Sequence, residues 1–233
     1  WLGMRKAVML GGVLLVLGHL GMGLEGPPAT QSLTYAGVEY QFETSGRGED
    51  RAARLNVGGQ TYAYGPAPGG GIALEGLPAD APLPAVLPKG AYELKADRSE
   101  LFESTMYLAL SLIIMGVCFL KANLSAIVGQ LYPKGDPRRD PGFTLYYYGI
   151  NLGSFWAAVV CGWLGTTVGW WAGFGMAGIG MAAGLIVFVL GKKRLVGIGE
   201  PPHPASLTRS VAGPVTAEHL TYLASLGGVA LVW

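Results

Sequence analysis

Charge is scarce in this chain. Asp, Glu, Lys and Arg make up 13% of 233 residues, against about 25% in an ordinary soluble domain. The net charge is +1, which gives no basic face for nucleic acid. Cysteine is nearly absent: Cys118 and Cys161 are too few for a disulfide framework and lack metal-ligand spacing. The three histidines are scattered, so neither a metal nor a cofactor is expected. What is abundant is apolar. Hydrophobic residues reach 51% and mean hydropathy is +0.39, which excludes disorder, argues against a soluble globule and points to a membrane. Glycine is common, 38 residues without a collagen period, and close helix packing is its expected use.

A helix needs about 20 apolar residues to cross a bilayer. Ala7–Leu24, Ser104–Tyr132, Gly142–Thr166 and Trp170–Leu190 qualify as spans, and Glu218–Trp233 reads as the start of a fifth. The chain opens on Trp1 and closes on Trp233 within an apolar run, so a piece of a larger multi-pass protein is expected. Arg5 and Lys6 precede the first span; Lys134, Arg138 and Arg139 lie between the second and third; Lys192, Lys193 and Arg194 follow the fourth. Alternating spans put all three clusters on one side, and the positive-inside rule makes that side cytoplasmic. The expected division is a helix over 1–24, an extracytoplasmic segment over 25–100, a helix over 101–133, a cytoplasmic loop over 134–141, helices over 142–169 and 170–191, a cytoplasmic linker over 192–217, and the fifth helix over 218–233.

Residues 25–100 are polar and rich in Gly and Pro. Ala52–Val57 and Gln60–Tyr64 flank Gly58-Gly59, a two-residue hairpin signal. Val38, Tyr40 and Phe42 alternate as a half-buried strand does. Ala91–Lys95 reads as another strand and Pro78–Pro88 as an extended linker. The expectation is a small β-rich insert of three to five strands, capping the transmembrane part or serving as a binding module.

One charge lies deep in a span. From Lys121 to Pro133 is about 18 Å at ~1.5 Å per residue, too far for a lysine stem to snorkel easily. Such a charge faces a partner or a water-filled cavity: Lys121 is either a structural pair within the bundle or part of a ligand or ion pathway. Ser125 shares its face one turn on, while Asn123 points elsewhere. In the next span Asn151 and Tyr147 share a face four residues apart. Cation, amide and phenol together suit a ligand with a carboxylate and peptide groups, although a membrane Asn also serves as interhelical glue.

The residues around these positions run in order as Gly116-Val-Cys-Phe-Leu-Lys121-Ala-Asn123-Leu-Ser125, Gly129-Gln-Leu-Tyr132, Asp136-Pro-Arg138-Arg139-Asp140-Pro-Gly142-Phe143 and Tyr146-Tyr147-Tyr-Gly-Ile-Asn151-Leu-Gly153-Ser154. This closely resembles the signature of the proton-dependent oligopeptide transporter family of the major facilitator superfamily: Lys-Pro-Asn-x-Ser, Gly-x-x-Tyr, Asp-x-Arg-Arg-Asp-x-Gly-Phe and Phe-Tyr-x-x-Ile-Asn-x-Gly-Ser. Residues 101–195 carry the strong similarity and 1–24 a weaker one. The resemblance implies an all-α polytopic membrane protein, a piece spanning helices 3 to 6 of that fold, with a β-rich extracytoplasmic insert outside the common core. It implies proton-coupled symport of di- and tripeptides across the plasma membrane by alternating access. Lys121 would lie near the peptide carboxylate and take part in proton coupling, and Asn151 and Tyr147 would contact substrate. Asn123, Ser125, Asp136, Arg138, Arg139, Asp140, Gly142, Phe143, Gly153 and Ser154 would be structural, the Asp-x-Arg-Arg-Asp loop ordering the cytoplasmic side. The implied partners are a small peptide, protons, the lipid bilayer and the remainder of the same transporter, with no nucleic acid. Ala122 stands where the family has Pro, and Tyr146 where it has Phe. The Glu-x-x-Glu-Arg motif of helix 1 and the cavity residues of helices 7, 8 and 10 are absent, so this piece alone is not expected to transport.

Other motifs have plainer readings. Gly173-Phe-Gly-Met-Ala-Gly178 satisfies G-x-G-x-x-G but lies inside an apolar span rather than after a strand. Gly149/Gly153 and Gly180/Gly184 are spaced for helix contact. His19 is expected to hydrogen-bond within the bundle, Cys118 and Cys161 to pack, and His203 and His219 to be solvated. An intramembrane hydrolase would need Ser154 and His19 to meet, and no motif joins them; the chain is not read as an enzyme. A transporter of another small solute and a membrane-anchored binding module are the alternatives to peptide symport.

Overall fold

A computed structural model of the protein describes residues 2–24, 26, 29–46 and 52–232. Trp1 and Trp233, the two ends in the sequence reading, lie outside the described residues. Helix α1 (Met4–Met22) leads into eight strands: β1 (Thr30–Tyr35), β2 (Val38–Ser45), β3 (Ala52–Val57), β4 (Gln60–Tyr62), β5 (Tyr64–Ala67), β6 (Gly71–Leu74), β7 (Val86–Leu87) and β8 (Tyr92–Asp97). Then come α2 (Glu100–Gln130), α3 (Arg139–Thr167), α4 (Trp170–Gly191), a 3-10 turn (Lys192–Leu195), the short α5 (Pro204–Leu207), a hairpin of β9 (Ser210–Ala212) and β10 (Val215–Thr216), and α6 (Ala217–Val232). The chain forms two units, residues 1–25 with 104–233, and residues 26–103.

The first unit is helical. Met4–Met22, Glu100–Gln130 and the segment Trp170–Leu195 are each long and apolar enough to cross a membrane. α3 is as long, 29 residues, but its tyrosines and Asn151 dilute its hydropathy. It starts at Arg139, three residues inside the loop expected over 134–141. Asp140 in the first turn suits the positive helix end, and Pro141 is tolerated there because first-turn N–H groups have no intrahelical acceptor. Between α3 and α4 the chain turns at Gly169, whose φ of 145 favours glycine and whose N–H donates to the Leu164 carbonyl at 3.0 Å.

Glycines let these helices approach. A methyl group on Gly11 would lie 2.7 Å from the Gly116 carbonyl oxygen, and one on Gly116 would lie 2.9 Å from that of Gly11. Further along the same contact, Gly18 meets Ala109 and Ile113. On another side of α1, Gly12 touches Leu185, and Gly178 of α4 receives Leu20. The glycine pairs expected to make contacts do not: Gly149, Gly153, Gly180 and Gly184 all face open space. Spacing marks a face that can be approached, but not which face is. α3 buries only Gly165 among its described residues, and no other described residue would meet a methyl on Gly149 or Gly153.

The stretch after α4 is not simply solvated. The backbone N–H of Arg5 donates to the Gly199 carbonyl at 2.9 Å, and its Nε to the Ile198 carbonyl at 2.6 Å. Its guanidinium pairs with Glu200 at 2.8 Å. Lys6 pairs with Glu218, and Leu207 is fully buried. His219 is capped locally, its Nδ1 accepting from the Thr216 N–H at 3.2 Å.

The second unit is β-rich. Five strands form an antiparallel sheet in the order β4-β3-β2-β1-β8, and three form a second in the order β5-β6-β7. The Gly58-Gly59 hairpin is as expected: both glycines have positive φ, 64 and 86, as a type I′ turn requires, and Val57 pairs with Gln60. The alternation of β2 holds at Tyr40, which is buried, and fails at Val38, 52% exposed. Eight strands replace the expected three to five. The Pro78–Pro88 segment is not a plain linker, because β7 lies in it, Ile72 pairs with Leu87, and Leu83 and Leu87 are buried. One core joins Leu33, Tyr40, Leu55 and Val57 of the larger sheet to Leu74, Leu83 and Leu87.

Candidate functional site

The signature residues occupy the C-terminal half of α2, the loop after it and the first half of α3. The end of α2 and the start of α3 interlock through the motif itself. A methyl on Gly142 would lie 2.5 Å from both the Tyr132 hydroxyl and its ring, so a larger residue there would force that ring to shift. A methyl on Gly129 would lie 3.5 Å from the Phe143 ring and 3.7 Å from the Arg139 guanidinium. In the loop, Asp136 accepts from the Arg138 Nη2 and backbone N–H, both at 2.9 Å, and from its Nε at 3.2 Å. The Arg138 side-chain hydrogen bonds, and then its backbone N–H, hold the Asp136 carboxyl below the usual carboxylate range. Of the residues expected to be structural, Arg139, Gly142 and Phe143 thus lie in the α2–α3 contact, and Asp136 and Arg138 pair in the loop. Asp140 serves the first turn of α3, where its carbonyl accepts from the Thr144 hydroxyl at 3.0 Å.

Within the helices most polar groups are satisfied by their own backbone. Asn123 donates to the Phe119 carbonyl at 2.7 Å, Ser125 to those of Lys121 and Ala122 at 3.2 and 3.1 Å, and Ser154 to that of Ile150 at 2.9 Å. Asn151 donates to the Tyr147 carbonyl at 2.9 Å, which leaves its amide oxygen and one N–H for another partner. His19 is bonded within the bundle, its Nδ1 donating to the Leu15 carbonyl at 2.7 Å. Cys161 is half-buried, whereas Cys118 is exposed and does not pack within this chain.

Lys121 differs. It is exposed, and among the described residues it has neither an ion-pair nor a hydrogen-bond partner for its ammonium. It lies nine residues, about 14 Å, from the end of α2. Tyr147 is 56% exposed and Asn151 is exposed on α3. Tyr147 and Asn151 are joined by their hydrogen bond; among the described residues none joins either to Lys121. The apolar groove of about 360 Å³ between α1, α2 and α4, lined by Gly12, Leu120, Leu124, Met181, Leu185 and Phe188, contains none of these three. Sequence reasoning did not single out Glu200 and Glu218, the partners of Arg5 and Lys6; no local pattern marks them.

The chain is similar to known transporters. The chain is 45% identical over 106 residues to the uncharacterized transporter YclF of Bacillus subtilis (strain 168), a match covering 46% of this chain and 22% of that protein. It is 49% identical over 82 residues to the peptide transporter YePEPT of Yersinia enterocolitica subsp. palearctica serotype O:3 (strain YE-P4), covering 35% and 16%. A crystal structure of peptide transporter POT in complex with sulfate superposes with a TM-score of 0.52 at 24% identity, over 99% of this chain and 30% of that one, a likeness of fold alone. The chain thus spans less than a third of the proteins it resembles. A model of the POT family, PTR2, matches residues 5–212, and the chain belongs to that family.

Proposed function

We propose that this chain forms helices 3 to 6 of a longer plasma-membrane transporter that carries di- and tripeptides with protons by alternating access. The observation carrying this reading is the unpartnered Lys121 in a long apolar helix of a POT-family chain. A cation within a membrane-spanning segment and without an internal partner marks a ligand or ion pathway rather than a stabilising pair. Its ammonium would receive the peptide carboxylate, and Tyr147 and Asn151 the peptide backbone, near the midplane between two halves of the transporter. Residues 25–100 would lie on the extracytoplasmic side, because the basic clusters at the other helix ends belong on the cytoplasmic one.

The test is uptake of labelled dialanine into proteoliposomes holding the complete transporter, with and without an inward proton gradient. Gradient-driven accumulation, abolished by Lys121→Ala, is the expected result. Robust driven uptake by a well-inserted Lys121→Ala protein would refute the role of Lys121. Absence of uptake by folded wild type would move the reading to another small solute. Deleting residues 27–98 should leave uptake in place; its complete loss in an inserted protein would favour a role centred on the β-rich unit.

A further inference from the structure

Not all the basic clusters on the proposed cytoplasmic side are used in the same way. In the first, Arg5 pairs with Glu200 and Lys6 with Glu218. In the second, Arg138 pairs with Asp136, while Lys134 and Arg139 are exposed but stand five residues apart rather than in a run. The third, Lys192-Lys193-Arg194, forms the 3-10 turn after α4, with all three residues exposed. Among the described residues none of the three meets an acid.

The position of this turn is set by α4. Its 22 residues span about 33 Å, close to the ~30 Å hydrocarbon core. At its start Trp170 and Trp171 are 59% and 54% exposed, as interfacial tryptophans are. A helix of that length with its tryptophans at one interface delivers the cations to the headgroup layer of the other. Apolar side chains flank them: Leu190 is 75% exposed and Val196 is 86% exposed. Val196 has a left-handed backbone, φ 42, rare for a β-branched residue. Three free cations between two exposed apolar groups match an anionic headgroup carrying acyl chains.

We propose that Lys192, Lys193 and Arg194 form a binding site for an anionic phospholipid headgroup of the cytoplasmic leaflet, with Leu190 and Val196 against its acyl chains. The proposal rests on the membrane reading above. Near an anionic surface each cation favours association roughly fivefold, so three give roughly a hundredfold before screening. The paired cations Arg5, Lys6 and Arg138 contribute far less, and Lys134 and Arg139 act as single separated charges.

The test is native mass spectrometry of the complete transporter, titrated with phosphatidylglycerol or phosphatidylcholine of identical acyl chains. Wild type should bind the first lipid at least tenfold more tightly. The triple variant K192Q/K193Q/R194Q should lose that preference, K192R/K193R/R194K should keep it, and Lys134→Gln should leave it unchanged. An unaltered preference in a triple variant that is monodisperse and melts like wild type would overturn the proposal. So would displacement of the lipid by millimolar inorganic phosphate, which would identify a free-anion site. If the triple variant misfolds, K192Q/K193Q and Arg194→Gln are titrated separately, and each should lose part of the preference; no loss in either overturns the site. Protein released from membranes by alkaline carbonate would refute the membrane reading itself, whereas an inserted protein indifferent to headgroup charge refutes only this site.

Discussion

Replacing Gly11 with alanine tests the close contact between α1 and α2. The added methyl would sit 2.7 Å from the Gly116 carbonyl oxygen and 2.8 Å from the Leu120 nitrogen, where ordinary contact begins near 3.4 Å. Both neighbours are backbone, so no rotamer change relieves the overlap, and α1 must move from α2 by about 0.7 Å. That displacement loosens the packing of Leu14 and Leu15, both buried. Overpacking of this kind costs about 1–3 kcal/mol, offset by up to ~1 kcal/mol from the better helix propensity of alanine. For a domain of this size each kcal/mol lowers Tm by about 2–4 °C. Gly21→Ala is the internal comparison: its methyl would meet the Ala109 Cβ at 3.1 Å and its Cα at 3.9 Å, a milder contact that should cost clearly less than Gly11→Ala. Gly116→Ala strains the same contact from the other side, so the double variant Gly11→Ala/Gly116→Ala should cost less than the sum of the two. The assay is thermal unfolding of the complete transporter in one detergent. Equal melting of the Gly11→Ala and Gly21→Ala proteins, or strict additivity in the double variant, would refute the close crossing.

Gly142→Ala should destabilise by about 1–3 kcal/mol through the clash with Tyr132, and Tyr132→Ala in the same background should recover part of the loss. No recovery would mean the ring is not the obstacle. Leu87→Ala, at a fully buried position, should cost the β-rich unit about 2–5 kcal/mol, read as faster proteolysis within residues 26–103 while the helical unit stays intact. The Asp136–Arg138 pair predicts a pH effect. Because the Asp136 carboxyl is depressed by Arg138, its stabilisation of the loop is complete above the ordinary Asp value of ~3.9 and is lost as pH falls through the lower folded value. Arg138→Gln should raise the Asp136 midpoint toward ~3.9, followed by the carboxyl carbon shift in NMR; an unmoved midpoint would show the pair to be inconsequential in solution.

Much of this was legible because it is local. Apolar runs gave the helices, two adjacent glycines gave the β3–β4 turn, and ordered blocks of motif residues gave the family. The second sheet was hidden because its signals are short and contrary. β5 contains Pro66, β7 is two residues long, and the Pro-rich run around Leu83 reads as extended linker until Leu83 finds the core. The glycine contacts within this chain were not legible because residues three and four apart define a stripe and not its partner. Of the expected ligand residues, the depth of Lys121 and the shared face of Tyr147 and Asn151 followed from helix geometry. That Asn151 spends one N–H on the Tyr147 carbonyl required coordinates.

The ion pair between Arg5 and Glu200 has a consequence for biogenesis. The two residues are 195 apart in sequence. At about 5–20 residues per second of synthesis, Arg5 waits on the order of 10–40 s before its partner leaves the ribosome. Through that interval α1 enters the membrane with its guanidinium unmatched, held only by water and headgroups. Its first turn is therefore among the last parts of the helical unit to settle, although it is made before α2, α3 and α4. Chains arrested before residue 200 should keep Arg5 open to reagents that complete chains exclude.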